Sequence, residues 1–278
     1  MIKLNGKVVK QGRFPDGTLA INVGDIIDTS SLDTLKDYND LCITWLYDGD
    51  DEMFTIMSLV DIIKRNGVRN YSLCMPYLPN ARMDRIKSNE ENFSLKVFAN
   101  WLNSLGFSKV YVENVHSNVS NALVDNLVDK LPEDDIRFIT TIYDFDVDVI
   151  FFPDEGACKR YKDMKVIKDL ELPIAFGIKN RDWKTGEILG LDVVGADVKN
   201  KRVLIIDDIC SKGFTFYFAG QTLRFLGASD VKLYITHCED NIQNGKLLDE
   251  DVISKIYTTD SICHIKNEKI DFIRNFRE

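Results

Sequence analysis

The sequence predicts an α/β protein made of two duplicated domains, each a mainly parallel sheet flanked by helices. Two observations carry that expectation. Short apolar runs alternate with longer helical stretches along the chain, which is how βα units read in sequence. The halves also echo each other: LNSLGFSKVYVENVHSN around Gly106 parallels LRFLGASDVKLYITHCEDN around Gly227. In both, a helix ends, a glycine suited to the left-handed C-cap conformation follows, and a strand begins. Pro132 and the acids Glu133, Asp134 and Asp135 interrupt the pattern, so the seam is placed there, giving domains of residues 1–134 and 135–278.

The elements follow in order. LCITWL (Leu41 to Leu46) is the first strong apolar run and reads as a strand, followed by a helix from Met53 to Asn66. NYSLCM (Asn70 to Met75) is the next strand, and Phe93 to Leu105 the next helix, leading to the strand Lys109 to Glu113. In the second half, strands are expected over Val147 to Phe152, Ile174 to Ile178, Arg202 to Asp207 and Val231 to Thr236. Unbroken runs such as VIFF and VLII fit strands covered on both faces. The aromatic-rich stretch Phe214 to Leu226 reads as a helix. A final helix is expected from Asp271, placed so that it could pack back on the first domain.

At 278 residues the chain has room for two compact domains. A net charge of −9 argues against a nucleic-acid binder that works by general attraction to phosphates. Any anionic substrate must meet a local basic pocket instead. No apolar run is long enough to span a bilayer, and Met1 to Lys10 does not read as a signal peptide. The six cysteines are scattered, with no CxxC pair, and most sit in or beside apolar runs. Structural zinc and a disulfide framework are therefore not expected, and the protein reads as reduced and cytoplasmic. With three histidines, a histidine-rich metal site is excluded by supply.

The most informative stretch is LIIDDICSKGFT, Leu204 to Thr215. An apolar strand delivers Asp207 and Asp208 at its carboxyl end, where ligands bind in parallel sheets. The turn Ser211–Lys212–Gly213 then opens a helix with Phe214 and Thr215, and its backbone N–H groups suit a phosphate. Two acids beside such a turn suit ribose hydroxyls or Mg²⁺. The bland reading is a strand–turn–helix with two solvated acids.

This stretch resembles the phosphoribosyl-diphosphate-binding loop shared by phosphoribosyltransferases and ribose-phosphate pyrophosphokinases. With the duplication, it makes most of the chain similar to the ribose-phosphate pyrophosphokinase family. RFPDGTLAINV (Arg13 to Val23) resembles the family's adenine-contacting segment, which implies that Phe14 stacks on the base and Asp16 hydrogen-bonds it. PYLPNARMDR (Pro76 to Arg85) resembles the ATP-binding loop, with Arg82 and Arg85 on the phosphates and Asp84 orienting an arginine. ENVHS places His116, and FPDEGACKR places Asp154, where the family holds or orients the Mg²⁺ of ATP. PIAFGIKNR places Lys179 and Arg181 where the family carries a catalytic lid. The resemblance implies two phosphoribosyltransferase-like domains. It also implies an ATP-dependent diphosphotransferase of nucleotide or NAD metabolism that makes phosphoribosyl diphosphate and AMP. A homo-oligomer, dimer or hexamer, would share the ATP site between subunits.

Three departures stand out. The family reads Asp–Thr–Ala–Gly–Thr where this chain has Ser211, Lys212, Gly213, Phe214 and Thr215. The lysine and the ring suit a substituted phosphate such as that of ADP-ribose. Alternatively, the aromatics Phe214, Phe216, Tyr217 and Phe218 are core and plain ribose 5-phosphate binds; helical spacing favours core for at least two of them. IKSNEEN (Ile86 to Asn92) lacks the arginines usual there, which puts phosphate activation and ADP inhibition in doubt. Thr18 and Asn114 stand where the family has acids. A non-catalytic regulatory relative is the rival class, against which the retained lysine–arginine lid and acid pair count. A plain phosphoribosyltransferase would not need the N-terminal half.

Overall fold

The computed structural model describes residues 1–26, 41–141, 146–181 and 188–277. Two compact units emerge, Met1–Leu131 and Pro132–Phe276. Among the described residues no helix is long and apolar enough to cross a membrane.

The first unit opens with short antiparallel strands β1 (Ile2–Leu4) and β2 (Lys7–Val8), then a separate hairpin of β3 (Gln11–Arg13) and β4 (Leu19–Ile21). The βα repetition follows: β5 (Leu41–Trp45), α1 (Met53–Arg65), β6 (Tyr71–Cys74), α2 (Ser94–Ser104), β7 (Lys109–Glu113), α3 (Val119–Leu123) and β8 (Leu127–Lys130). The sheet order is β2-β1-β5-β6-β7-β8, with β5 through β8 parallel. Both longer helices bury one stripe at helical spacing: Ile56, Leu59, Val60 and Ile63 on α1, Leu95, Phe98, Ala99 and Leu102 on α2. These stripes meet Ile43, Trp45 and Leu73 of the sheet in one core.

The second unit runs α4 (Glu133–Thr141), β9 (Val149–Phe152), α5 (Glu155–Tyr161), α6 (Lys165–Leu170), β10 (Ile174–Arg181), β11 (Ile188–Gly195), β12 (Arg202–Cys210), α7 (Phe214–Phe225), β13 (Asp230–Cys238), β14 (Lys255–Thr259) and β15 (Ile270–Arg274). Its sheet order is β11-β10-β9-β12-β13-β14-β15, parallel except for the β10–β11 hairpin. Every residue of β9 is buried, as expected for a strand covered on both faces. The duplication shows in detail at Gly106 and Gly227, whose φ angles of 74° and 91° end α2 and α7 before β7 and β13. A side chain at either would be strained there.

The residues from Asp271 do not form a helix; they belong to β15. Ile270 and Phe272 pack toward the core at a spacing of two, and Ile270 pairs with Ile256 of β14. That edge offers backbone partners that so short a helix would lack. β12 also runs through Cys210, so Asp207 and Asp208 lie within a hydrogen-bonded strand instead of at its tip. The acids at the seam belong to α4, where Glu133, Asp134 and Asp135 occupy the first turn and suit its dipole.

Asp135 does more than cap. It is almost wholly buried and receives Arg274 of β15 (Nη2 to Oδ2, 2.9 Å) and the hydroxyl of Tyr234 (2.8 Å). Burial and the Asp135 charge hold the Tyr234 hydroxyl well above its ordinary pKa, so it remains a donor. Arg274→Met strands a buried carboxylate, and we expect a loss of about 3 kcal/mol or more in denaturant unfolding. A loss below about 0.5 kcal/mol would mean that water compensates Asp135.

Candidate active site

In the first unit the loops that leave β6 and β7 carry the candidate ATP residues. Buried Leu78 and Ala81 anchor the first loop, leaving Arg82 and Arg85 exposed. Asp84 holds the Arg85 fork, accepting from Nε at 2.7 Å and Nη2 at 3.1 Å. Ser117, in the loop after β7, donates its hydroxyl to Asp84 Oδ2 at 2.7 Å. The Arg85 hydrogen bond, then the Ser117 bond and the nearby His116, pull the Asp84 carboxyl down to about 2. One carboxylate thus joins the two loops, fixing the Arg85 fork and Ser117 next to His116, with the guanidinium oriented as a bidentate oxyanion partner would need. Ser117 was not expected from sequence; a hydroxyl one residue past the histidine is the signal.

Asn114 is fully buried with φ of 48°, and its N–H bonds Lys130 O at 2.9 Å. Asparagine tolerates this left-handed backbone well, which gives the departure at this position a structural role. On the β3–β4 hairpin, Phe14 is 58% exposed, so core packing is ruled out for it. Asp16 accepts from Thr18 Oγ1 at 2.7 Å and Thr18 N at 2.9 Å, which lowers its pKa. The threonine that replaces an acid therefore closes this turn.

In the second unit, β12 carries Asp207 and Asp208, with the Asp208 N–H donating to Asp207 Oδ1 at 2.9 Å. Asp154 caps α5, accepting from Ala157 N at 3.0 Å. Burial, then the charges of Asp208 and Asp154, push the Asp207 carboxyl well above its ordinary range. Gly213 has φ of 76°, and a Cβ there would lie 2.2 Å from Leu247 Cδ1, so only glycine fits between β12 and α7. Of the four aromatics that follow, Phe216 and Tyr217 are core, whereas Phe214 and Phe218, one turn apart, are 48% and 47% exposed. Lys212 is exposed and Thr215 half-buried.

Lys179 and Arg181 are the last residues of β10, where Lys179 pairs with Leu191 and Arg181 with Ile188 across a register shift. Their backbone is strand, which extends the expected strand Ile174 to Ile178 by three residues. The rest of that segment, 182–187, lies outside the described residues.

Among the described residues no three His, Cys, Asp or Glu side chains converge to hold a metal by themselves. His116 and Asp154 belong to different units. The donors fit Mg²⁺ in its usual form, one or two carboxylates completed by water and substrate phosphates. A cation bound near Asp207 would offset the burial and the Asp208 and Asp154 charges that raise its pKa.

The fold and these loops define a two-domain protein of the phosphoribosyltransferase-like α/β class. No family model matches the chain. It is similar to the ribose-phosphate pyrophosphokinase of Bradyrhizobium diazoefficiens, 27% identical over 229 residues, 80% of this chain and 71% of that one. Ribose-phosphate pyrophosphokinase 1 of Streptococcus agalactiae is 27% identical over 286 residues, covering 97% of this chain and 83% of its own. The crystal structure of phosphoribosylpyrophosphate synthetase from Mycobacterium smegmatis shares the fold, with a TM-score of 0.75 over 96% of this chain and 85% of its own, at 20% identity. Over most of its length the chain is thus similar to ribose-phosphate pyrophosphokinases, at under 30% identity.

Gly213→Ala should cost about 2–4 kcal/mol, from the left-handed backbone and the Leu247 clash together. Thermal unfolding checks it; an unchanged Tm would mean the turn relaxes freely.

Proposed function

We propose that this protein is an Mg²⁺-dependent diphosphotransferase. It moves the β,γ-diphosphoryl group of ATP to the anomeric hydroxyl of ribose 5-phosphate, giving phosphoribosyl diphosphate and AMP. The observation that carries this reading is the acid pair Asp207–Asp208 followed directly by a glycine-pivoted turn into a helix N-terminus. That combination suits a sugar hydroxyl pair next to a phosphate.

The roles divide by chemistry. Asp207 and Asp208 accept from the ribose hydroxyls, while Ser211, Lys212, Gly213, Phe214 and Thr215 wrap the 5-phosphate. Arg82 and Arg85 clamp the ATP phosphates, and Phe14 with Asp16 takes the adenine. Lys179 and Arg181 stabilise charge on the diphosphoryl group as it transfers. Bound Mg²⁺ would neutralise phosphate charge; Asp154 is the candidate group to hold it in the second unit, and His116 in the first unit is a candidate ATP-binding group. Retention of all these groups speaks against a purely regulatory relative. The reaction is that of a cytoplasmic metabolic enzyme.

The exposed tip of the β3–β4 hairpin supports an adenine site shared between subunits of a homo-oligomer. Phe14→Ala should then raise the KM for ATP several-fold; a fully active monomer would rule sharing out. Lys179→Ala should lower kcat by about 10²-fold or more with Tm unchanged. An active Lys179→Ala variant removes that assignment.

A second acceptor has its own support. Phe214 and Phe218 stand exposed one turn apart beside exposed Lys212. They could stack the base of ADP-ribose while the lysine meets its second phosphate, giving ADP-ribose pyrophosphate. Stacking would contribute about 1–3 kcal/mol. Lys212→Thr with Phe214→Gly should shift preference toward ribose 5-phosphate by roughly tenfold. Efficient use of ribose 5-phosphate with no product from ADP-ribose would sink this second reading.

A further inference from the structure

We infer that Asn241 and Asn244 form a hydrogen-bond relay that fixes the Ser211 hydroxyl as a donor to the acceptor's phosphate. The inference rests on the reading that Ser211 to Thr215 holds that phosphate. Asn241 Nδ2 donates to Ser211 Oγ at 2.9 Å, and Asn244 Nδ2 donates to Asn241 Oδ1 at 2.9 Å. The second bond orients the Asn241 amide with its NH₂ toward the serine. A serine hydroxyl has one proton and two lone pairs. With a lone pair already engaged by Asn241, its proton is directed elsewhere, and an anionic oxygen at the α7 N-terminus is the natural recipient.

The relay is built on a fixed platform. Asn241 and Asn244 lie on the 3-10 turn Asp240–Asn244. Asp240 accepts from His264 N at 2.6 Å and from His264 Nδ1 at 2.9 Å. Glu239 N donates to Cys210 O at 2.8 Å, tying the platform to the end of β12. Gly245 sits so close that a Cβ there would meet Lys212 O at 1.9 Å. The platform therefore presses on the phosphate turn from behind and orients its hydroxyl. Asn241 is a positioning residue, acting through Ser211.

The test is a double-mutant cycle on the full chain, read with ribose 5-phosphate and with ADP-ribose, by steady-state kinetics and by calorimetric binding. Asn241→Ala should raise the acceptor KM about tenfold, as expected for a weakened bond to a charged group, while the KM for ATP and kcat change less than threefold. Asn241→Asp should cost more than Asn241→Ala, because a carboxylate accepts the serine hydroxyl's hydrogen bond and adds negative charge. On a Ser211→Ala background, Asn241→Ala should have no further effect. Circular dichroism melting of each variant separates these effects from unfolding. If Ser211→Ala weakens acceptor binding while Asn241→Ala does not, or if the two effects add in full, the relay is overturned. If Ser211→Ala leaves binding of both acceptors unmoved, the phosphate-turn reading fails, and the relay with it.

Discussion

Neighbouring carboxylates within a buried parallel strand are the constraint on which the second unit turns. β12 lies between β9 and β13, and its run Val203 to Ile206 is apolar and wholly buried. At Asp207 and Asp208 the same strand, still paired to β13, carries two carboxylates into a site that Asp154 also faces electrostatically. Burial penalises ionised groups, and the surrounding sheet sustains that cost at Asp207. The turn at Ser211 to Gly213, its αL glycine and the helix α7 follow on the strand that carries these acids.

The first unit solves the opposite problem. In its candidate site a single carboxylate, Asp84, grips Arg85 and Ser117. Arg82 and Arg85 are exposed there, on a chain whose net charge is −9. Local placement, and not overall charge, decides where an anion could be met.

Much of the fold was legible because parallel strands and amphipathic helices write their periods plainly. β7 reads from Lys109 to Glu113 in sequence and in structure, and α1, α2 and α7 differ from expectation by a residue or two. Elements that depend on partners were not legible. β15 is a strand because β14 has an edge to fill and Arg274 has Asp135 to reach, 139 residues away. The short strands β1 to β4 carry too few residues to show a period. Within the candidate site, the acid pair and the glycine turn stand out as a contiguous string. The brace from Asn241, Asn244 and Gly245 does not, because it meets the turn from 30 residues further on. The aromatics divide as helical geometry requires: Phe216 and Tyr217 face the core, Phe214 and Phe218 do not.

The proposal that Asp207 binds the acceptor at the expense of stability is measured directly by substitution with its neutral isostere. A raised folded-state pKa means that protonation favours the fold: stability is fully present at low pH and lost as pH rises through the raised value. Asp207→Asn should therefore unfold at a higher temperature than the parent at pH 8, with the difference shrinking toward pH 4. The same variant should lose calorimetric binding of the acceptor in the presence of Mg²⁺. A variant that is less stable than the parent at pH 8 and still binds acceptor normally would contradict the account.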